Sequence, residues 1–231
     1  MTTTLITGAN KSLGYETARR LIEAGHTVLV GARDPERGQA AADALGARFV
    51  QIDVTDDASV AAAAADVGAH EGFIDVLINN AGVLGTHNPA DQITAADARA
   101  VFEVNVVGIV RVTHAFLPLL RKSANPVIVN VSSGMGSFAV THDAERVESR
   151  VITPLYTSSK AAVTMLTTQY AKAWTDVKVN AADPGYTATD FNGHSGPQTV
   201  TEGTDAIVEL ATIGADGPTG IFRDRHGAMP W

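Results

Sequence analysis

The sequence contains no cysteine among its 231 residues, which excludes disulfide bridges and thiolate metal sites. Its seven histidines are scattered, without the His-x3-His or His-Glu-x2-His spacing that places two imidazoles on one helix face. We therefore predict no metal site. Basic residues are in the minority, because 17 Lys and Arg stand against 25 Asp and Glu and give a net charge of −8. This balance argues against a nucleic-acid partner.

The sequence also lacks an uninterrupted apolar run of about 18 residues, the length that a membrane-spanning helix needs. Met1 leads directly into a strand-like stretch, without the charged, apolar and small-residue regions of a signal peptide. We expect a soluble, cytoplasmic protein with no membrane partner. Apolar residues make up 45% of the chain, which is enough for one large α/β domain or two small ones. No linker is visible, and we predict a single domain over residues 1–231.

Short β-branched runs alternate with longer helical ones. The strands are predicted near Thr3–Thr7, Thr27–Gly31, Arg48–Ile52, Asp75–Ile78, Pro126–Val131, Val177–Ala181 and Gly220–Phe222. The helices are predicted near Leu13–Ala24, Pro35–Leu45, Ala58–His70, Ala96–Leu120, Tyr156–Trp174 and Glu202–Thr212. This alternation indicates an α/β fold, a Rossmann-type doubly wound sheet of about seven parallel strands with helices on both faces.

A glycine-containing turn, Thr7 to Gly14, connects the first strand to the first helix. Glycines permit a tight turn and a close approach to a pyrophosphate, and the helix N-terminus offers free amides. Taken alone, the turn is equally well explained as an ordinary connection between a strand and a helix.

A second pattern pairs Tyr156 with Lys160 on one helix. Residues four apart lie on the same helix face, so a phenol and an ammonium are predicted side by side. We predict that the cation lowers the pKa of the phenol, which would suit an acid catalyst. An ordinary helix face gives the same spacing, so the neighbouring motifs decide between the two interpretations.

Those motifs occur in order along the chain. Asn79-Asn80-Ala81-Gly82 follows the fourth strand, Ser132-Ser133-Gly134 follows the fifth, and Pro184-Gly185-x-Thr187-x-Thr189 follows the sixth. Together with the glycine turn and the Tyr-Lys pair, they resemble the short-chain dehydrogenase/reductase family, in particular its carbonyl-reductase-like members. The sequence departs from the family pattern at Ser12, where the family has glycine; a serine hydroxyl can bond a phosphate oxygen, but its Cβ crowds the approach.

The resemblance implies four catalytic residues: Asn105, Ser133, Tyr156 and Lys160. Ser133 would donate to the substrate oxygen, Tyr156 would supply the proton, and Lys160 would bind the nicotinamide ribose. Asn105 would stabilise a local helix distortion and connect the lysine to water. A solvent-facing asparagine and a catalytic Ser132 are the alternatives at two of these positions.

The resemblance also implies a nicotinamide cofactor. The predicted cofactor-binding residues are Gly8, Asn10, Lys11, Ser12, Leu13, Gly14, Arg33, Asp53, Val54, Asn80, Ala81, Gly82, Tyr156, Lys160, Pro184, Gly185, Thr187 and Thr189. Ala32 occupies the usual acidic position, and the cations Lys11 and Arg33 favour NADP(H) over NAD(H). Asp34, directly before Pro35, is better explained as a helix cap, and Asp53 serves equally well as capping chemistry.

The implied function is NADPH-dependent reduction of a ketone or aldehyde. An alcohol dehydrogenase acting in the oxidative direction and a non-catalytic NADP(H)-binding sensor are the alternatives. A substrate-side insertion is predicted at about 134–155, with Met135, Phe138 and Tyr186 as pocket-lining candidates. Its charged part, 143–150, is interpreted as a solvated face. A homo-oligomer paired through 96–120 and 156–174 and a monomer both remain open.

Overall fold

The computed structural model describes residues 1–86 and 88–231. The strands are β1 (Thr3–Thr7), β2 (Thr27–Ala32), β3 (Arg48–Gln51), β4 (Val76–Asn79), β5 (Val127–Val131), β6 (Lys178–Ala182), β7 (Phe222–Asp224) and β8 (Gly227–Ala228). They form one sheet in the order β3-β2-β1-β4-β5-β6-β7-β8. The first seven strands are parallel, and β8 returns antiparallel to β7.

Helices cover both faces of this sheet. They are α1 (Ser12–Glu23), α2 (Pro35–Leu45), α3 (Asp57–His70), α4 (Ala95–Phe102), α5 (Gly108–Leu120), α6 (Phe138–His142), α7 (Pro154–Ala173), α8 (Val200–Gly203) and α9 (Asp205–Ala211). The cap chemistry follows the sequence: Asp34 accepts from the amide of Arg37 at the start of α2, with Pro35 at the first helical position. The predicted α/β sandwich is confirmed.

The core lies on both sides of the sheet, because successive side chains of a strand point to opposite faces. Ile6 and Ile78 pack in the cluster beneath α1, α2 and α9, whereas Leu5 and Leu77 pack in the cluster beneath α3 and α5. All four side chains are fully buried. The central strands are apolar on both faces for this reason, as is typical of parallel sheets.

Three predicted elements differ from the structure. The predicted helix 96–120 is interrupted by a π-helical turn over Glu103–Val107, and the predicted helix 202–212 divides at Thr204. The last parallel strand begins at Phe222 rather than Gly220, because Gly220 adopts a left-handed conformation with φ of 71°. The short strand β8 was not predicted, since two residues carry no periodicity.

The helical stretch Ala95–Leu120 is long and apolar enough to cross a membrane by length and composition. It is not an uninterrupted apolar run, because it contains the charged residues Asp97, Arg99, Glu103 and Arg111. Val112, Phe116 and Leu120 from this stretch are fully buried in the cluster beneath α3 and α5. Core helices of this kind pass the same test as membrane spans.

Candidate active site

The predicted site residues lie largely at one edge of the sheet. β1, β4, β5 and β6 are adjacent and parallel, so the turns that follow them meet at their carboxyl ends. Ligands bind at this edge in open parallel sheets. The glycine turn, the Asn-Asn-Ala-Gly turn, the serine pair and the Pro-Gly turn are brought together here.

The glycine turn is shaped by close backbone contacts. Gly8 has a φ of 65°, and a Cβ on Gly14 would lie 2.5 Å from the carbonyl oxygen of Gly8, so neither position accepts a side chain without strain. Asn80 Nδ2 donates to the carbonyl oxygens of Thr7 and Gly8 at 2.9 and 3.2 Å. This amide therefore ties the turn after β4 to the turn after β1.

Ser12 stands at the start of α1 with a φ of 50°, in the left-handed region that favours glycine. This conformation accounts for the glycine that the family has at the same place. The first turn of α1 carries no acidic residue. Among the described residues, the N-cap residue Lys11 makes no side-chain hydrogen bond to the amides of this turn. The amides at this helix N-terminus could hold a dinucleotide pyrophosphate.

The two serines after β5 have different surroundings. Ser132 is 1% exposed, and its hydroxyl donates to the carbonyl oxygen of Lys160 at 3.2 Å. Ser133 is partly exposed, its hydroxyl accepts from the amide of Met135 at 3.2 Å, and it lies near enough to the phenol of Tyr156 to act on the pKa of that group. The geometry thus favours Ser133 over Ser132 as the serine that faces a substrate.

Tyr156 and Lys160 lie one turn apart on α7, with the ammonium nitrogen 5.7 Å from the centre of the phenol ring. Burial raises the pKa of Tyr156, and the bond from Ser133 only partly offsets this effect. The predicted lowering by Lys160 is therefore wrong for this structure. The ammonium instead donates to the carbonyl oxygen of Val131 at 2.8 Å. Burial lowers the pKa of Lys160 to about 8, while the charge of Asp183 opposes the change.

Asn105 is fully buried within the π-helical turn, so the solvent-facing alternative is wrong. Its Oδ1 accepts from the amide of Val83 at 2.8 Å, and its Nδ2 donates to the carbonyl of Val83 and to the hydroxyl of Ser159. Ser159 in turn donates to the carbonyl oxygen of Tyr156 at 2.7 Å. The asparagine therefore links the turn after β4 to the helix that carries Tyr156 and Lys160.

The two predicted phosphate-binding cations have different partners. Lys11 Nζ lies 3.1 Å from Asp190 Oδ2, and Asp190 is also paired with His194 at 2.9 Å. Arg33 is exposed, and its charge acts on Asp53. Burial acts to raise the pKa of Asp53. The hydrogen bonds from Thr55 and the positive charge of Arg33 outweigh this effect, so the pKa of Asp53 lies below its usual value. Asp53 Oδ1 accepts from the amide and hydroxyl of Thr55 and so stabilises the turn that leads into α3, whereas the cap of that helix is Asp56. Val54 beside Asp53 is buried.

The Pro-Gly turn continues into a short segment that reaches Tyr156. Thr187 and Thr189 are buried, and the Thr187 hydroxyl donates to the carbonyl oxygen of Pro184 at 2.9 Å. Thr189 forms a capping box with Asn192 around a 3-10 turn. Phe191 lies between Thr189 and Asn192 in the sequence. The centre of its ring is 5.7 Å from the centre of the Tyr156 ring, and the two ring planes are tilted by 59°.

The comparisons with known proteins agree with this geometry. The family model described as short chain dehydrogenase matches residues 2–199.

The chain belongs to the short-chain dehydrogenase family.

A short-chain dehydrogenase from Penicillium roqueforti is 38% identical over 224 residues, covering 91% of this chain and 88% of that protein. The (-)-isopiperitenone reductase of Mentha piperita is 32% identical, with 97% and 96% covered. Among solved structures, NADPH-bound carbonyl reductase from chicken fatty liver superposes with a TM-score of 0.88 at 29% identity, with 99% and 98% covered. Similarity to this oxidoreductase family, with relatives named as reductases, thus extends over nearly the whole chain.

In this short-chain dehydrogenase the insertion contributes more to the site than we predicted. Glu148 lies beside Gly134 with a side chain only 14% exposed, so the expectation of a solvated face is wrong at this residue. Of the predicted pocket-lining residues, Met135 is buried, whereas Phe138 and Tyr186 are exposed. The sequence analysis did not identify Phe191 or Glu148. The only sign that pointed to Phe191 was that an aromatic residue stands two positions after Thr189.

Proposed function

We propose that this short-chain dehydrogenase reduces a ketone or aldehyde to an alcohol with NADPH as the reductant. The observation that carries the proposal is the grouping of Tyr156 with Lys160, whose ammonium lies 5.7 Å from the centre of the phenol ring, beside the serine pair that follows β5 and bonds the backbone of Lys160 through Ser132. Because the pKa of Tyr156 is raised, its phenol carries its proton at neutral pH. A protonated phenol can donate its proton to the oxygen of a ketone or aldehyde as the alcohol forms.

Each catalytic residue has a distinct task. Ser133 and Tyr156 direct two hydroxyl groups at the carbonyl oxygen, where negative charge develops, and Tyr156 delivers the proton. Lys160, held by the carbonyl of Val131, presents an ammonium whose donors suit ribose hydroxyls. Asn105 holds the π-helical turn against α7 and so keeps Tyr156 in place.

The cofactor would supply a hydride from its nicotinamide ring when it is bound. Three features fit a dinucleotide. They are the glycine positions that accept no side chain, the amides at the N-terminus of α1, and the turns Asn80–Gly82 and Pro184–Thr189. Lys11 and Arg33 are the cations proposed to recognise the 2′-phosphate of NADP(H). The NADPH in the chicken carbonyl reductase structure supports this choice.

The substrate is proposed to be a bulky, mainly apolar carbonyl compound. Phe191 packs on the ring of Tyr156, and Phe138 and Tyr186 are exposed aromatic residues in segments that adjoin the catalytic turns. Apolar walls around a few polar groups are typical of small-molecule sites. The relative named for (-)-isopiperitenone is consistent with such a substrate. We place the reaction in the cytoplasm, as expected from the sequence.

The test is to follow NADPH and NADH consumption at 340 nm with a panel of cyclic ketones, including (-)-isopiperitenone, and aromatic aldehydes. The wild-type protein is expected to consume NADPH. Tyr156→Phe should lower turnover by roughly 10²- to 10⁴-fold while the NADPH dissociation constant changes little, because only the proton donor is lost. Tyr170→Phe, on the same helix, is the matched control. Activity of Tyr156→Phe close to that of the wild type would contradict the assignment of the proton donor.

Two further outcomes separate the alternatives. Binding of NADPH without consumption across the panel would favour a non-catalytic sensor. A strong preference for NADH would contradict the roles proposed for Lys11 and Arg33, while leaving the roles of Ser133 and Tyr156 intact.

A further inference from the structure

Asp183 is a buried carboxylate to which the reaction described above assigns no role. It directly follows β6 and is 4% exposed. In the parallel pair β5–β6, Val131 is in register with Ala182, and the amide of Ser132 donates to the carbonyl oxygen of Ala182 at 2.8 Å. Asp183 therefore lies beside the serine pair at the carboxyl edge of the sheet.

The carboxylate lies against two different turns. Asp183 Oδ1 accepts from the amide of Gly185 at 2.9 Å, in the Pro184–Thr189 turn that we propose binds the nicotinamide end of the cofactor. Gly134, directly after Ser133, approaches the same carboxylate so closely that a Cβ on Gly134 would lie 3.0 Å from Asp183 Oδ2, and its amide acts to lower the pKa of that carboxyl. Bonds from amides to an ionised carboxylate are stronger than neutral ones. A single buried group thus connects the serine turn with the Pro184–Gly185 turn.

The insertion brings a second carboxylate to the same place. A Cβ on Gly134 would lie 2.9 Å from Glu148 Oε1 and 3.0 Å from Asp183 Oδ2, so the missing side chain leaves room for both groups. Glu148 is held by Arg146, with 3.0 Å between their charged atoms. The substrate-side insertion is therefore in electrostatic contact with the edge of the catalytic turn.

Charged and titratable groups face Asp183 from three directions. They are Arg146 and Glu148 of the insertion, Tyr156 and Lys160 of α7, and Asp224 of β7. Burial raises the pKa of Asp183 to about 6; the amides of Gly185 and Gly134 oppose the shift, and Glu148 and Asp224 add to it. The negative charge of Asp183 in turn raises the pKa of Lys160 against the effect of burial, which favours the ammonium form.

We propose that Asp183 is a positioning residue, whose carboxylate fixes the serine turn relative to the nicotinamide-facing turn and supports the charge of Lys160. The proposal rests on the proposed reductase function. Ionised Asp183 attracts the amides of both turns, whereas protonation removes the charge and replaces one acceptor by a donor. Turnover should therefore depend on its ionisation, although Asp183 does not contact the reacting atoms.

The first test is the variant Asp183→Asn, which keeps the shape and removes the charge. Its kcat is expected to fall about 10- to 100-fold through misplacement of Ser133, with a much smaller change in the NADPH dissociation constant. Asp176→Asn makes the same change in net charge at an exposed ion pair with Arg121 and is the matched control. A kcat for Asp183→Asn equal to that of Asp176→Asn would overturn the proposal.

The pH profile of kcat/KM separates this role from a merely structural one. The wild type is expected to lose activity below about pH 6, where Asp183 takes up its proton. Asp183→Asn should lack this acid limb, and its alkaline limb should move to lower pH because the support for the Lys160 ammonium is gone. Glu148→Gln should move the acid limb to lower pH, since Glu148 raises the pKa of Asp183. Unchanged limbs in both variants would overturn the proposal.

A measurement without turnover distinguishes failure of this proposal from failure of the proposed function. In ¹⁵N–¹H NMR spectra of the wild type, the amides of Gly134 and Gly185 should titrate with one common midpoint near pH 6. Different midpoints would overturn the link between the turns even in an active enzyme. A common midpoint in a protein that consumes no NADPH would support the link and overturn the reductase function instead. If Asp183→Asn does not fold, the NMR titration of the wild type and the pH profile of Glu148→Gln still test the proposal.

Discussion

At the scale of single residues, Asp183 and Lys160 are charged side chains that are each only 4% exposed. Burying a charge costs free energy unless partners compensate for the lost water. The pKa of Asp183 is raised from 3.8 to about 6, so its compensation by the amides of Gly134 and Gly185 is incomplete. The site therefore lowers the stability of the fold, as is common where chemistry requires buried charge.

This cost predicts a pH-dependent difference in stability. Because the folded-state pKa of Asp183 is raised, the native protein holds a proton between about pH 4 and pH 6 that the unfolded chain has lost. The stability of the wild type relative to Asp183→Asn should therefore fall as pH rises through this window, by up to about 3 kcal/mol, and be constant above it. Urea denaturation of both proteins from pH 4 to pH 8 measures this difference. A difference independent of pH would show that Asp183 ionises with its usual pKa.

Ser12 is a second residue in an unfavourable state, because its backbone has a φ of 50° in the left-handed region. A left-handed L-residue costs about 1–2 kcal/mol, and glycine adds about 0.5–1 kcal/mol of unfolded-state entropy. Ser12→Gly should therefore raise the free energy of unfolding by roughly 0.5–1 kcal/mol, as measured by chemical denaturation. Ser12→Ala keeps the strain and loses the hydroxyl. Weaker NADPH binding in Ser12→Ala than in the wild type would assign the hydroxyl to a phosphate; a loss of stability in Ser12→Gly would contradict the strain argument.

The sequence predicted which residues meet at the site, but it did not predict their electrostatics. The motif order correctly brought the serine pair next to Tyr156 and Lys160, because strand order and parallel direction follow from the alternation of strands and helices. The pKa of Tyr156 depends on how deeply the phenol is buried, which spacing along a helix does not reveal.

At the scale of elements, the π-helical turn Glu103–Val107 shows how one side chain stabilises an irregular backbone. Single π-turns within α-helices frequently occur at functional sites. The sequence predicted a helix here because its apolar periodicity continues through the turn. The only sign of the interruption was Asn105, a residue with a poor preference for helix interiors.

Asn105→Ala should destabilise the protein by about 2–3 kcal/mol, because a fully buried side chain is removed and the amide and carbonyl of Val83 and the hydroxyl of Ser159 lose their partner. Urea denaturation gives the free energy. Asn88→Ala, at an exposed position, is the control and should change it by less than about 0.5 kcal/mol. Equal effects of the two substitutions would mean that Asn105 does not hold the turn.

The segment from Thr187 to His194 is a second element whose role emerges only in three dimensions. Its Asp190 engages Lys11 of the glycine turn, although the two residues are 179 positions apart. On the proposed cofactor assignment, the 2′-phosphate and Asp190 compete for the same ammonium. No periodicity or motif in the sequence links these positions.

Asp190→Asn should therefore strengthen NADPH binding, by no more than about fivefold because exposed ion pairs are weak. NADH binding should be unchanged, and Lys11→Ala should weaken NADPH binding alone. Fluorescence titration of both cofactors against the three proteins provides the measurement. Equal changes for NADPH and NADH would contradict a 2′-phosphate role for Lys11.

At the scale of the whole molecule, polar side chains connect the sheet to the helices above it. Asn79 Nδ2 donates to Asn130 Oδ1 at 2.9 Å and to the hydroxyl of Thr113 at 3.2 Å, and Asn130 Nδ2 donates to the hydroxyl of Thr167 at 2.9 Å. This chain runs from α5 through β4 and β5 to α7. The apolar pattern predicted the strands correctly, but it gave no reason for asparagines in their interior, because pattern alone does not specify cross-strand partners.

The insertion is likewise anchored by distant parts of the fold. Val140 packs with Ala181, Phe222 and Met229, and the ring of Trp231 stacks on Phe222 with 5.6 Å between the ring centres. The sequence predicts an insertion here from the length of the segment, but it gave no sign of this support, which depends on the position of β7. A homo-oligomer paired through 96–120 and 156–174 and a monomer stay the two alternatives, which light scattering distinguishes.

The ion pair between Lys11 and Asp190 has a consequence for how ionic strength acts on the enzyme. Cofactor phosphates usually gain ion pairs on binding, and salt screens them. Here Lys11 would leave the carboxylate of Asp190 to bind the 2′-phosphate. One ion pair is lost for the one that Lys11 gains, so this lysine adds no net ion pair when NADPH binds. The affinity for NADPH should therefore depend less steeply on salt concentration in the wild type than in Asp190→Asn, where the same lysine begins without a carboxylate partner at position 190.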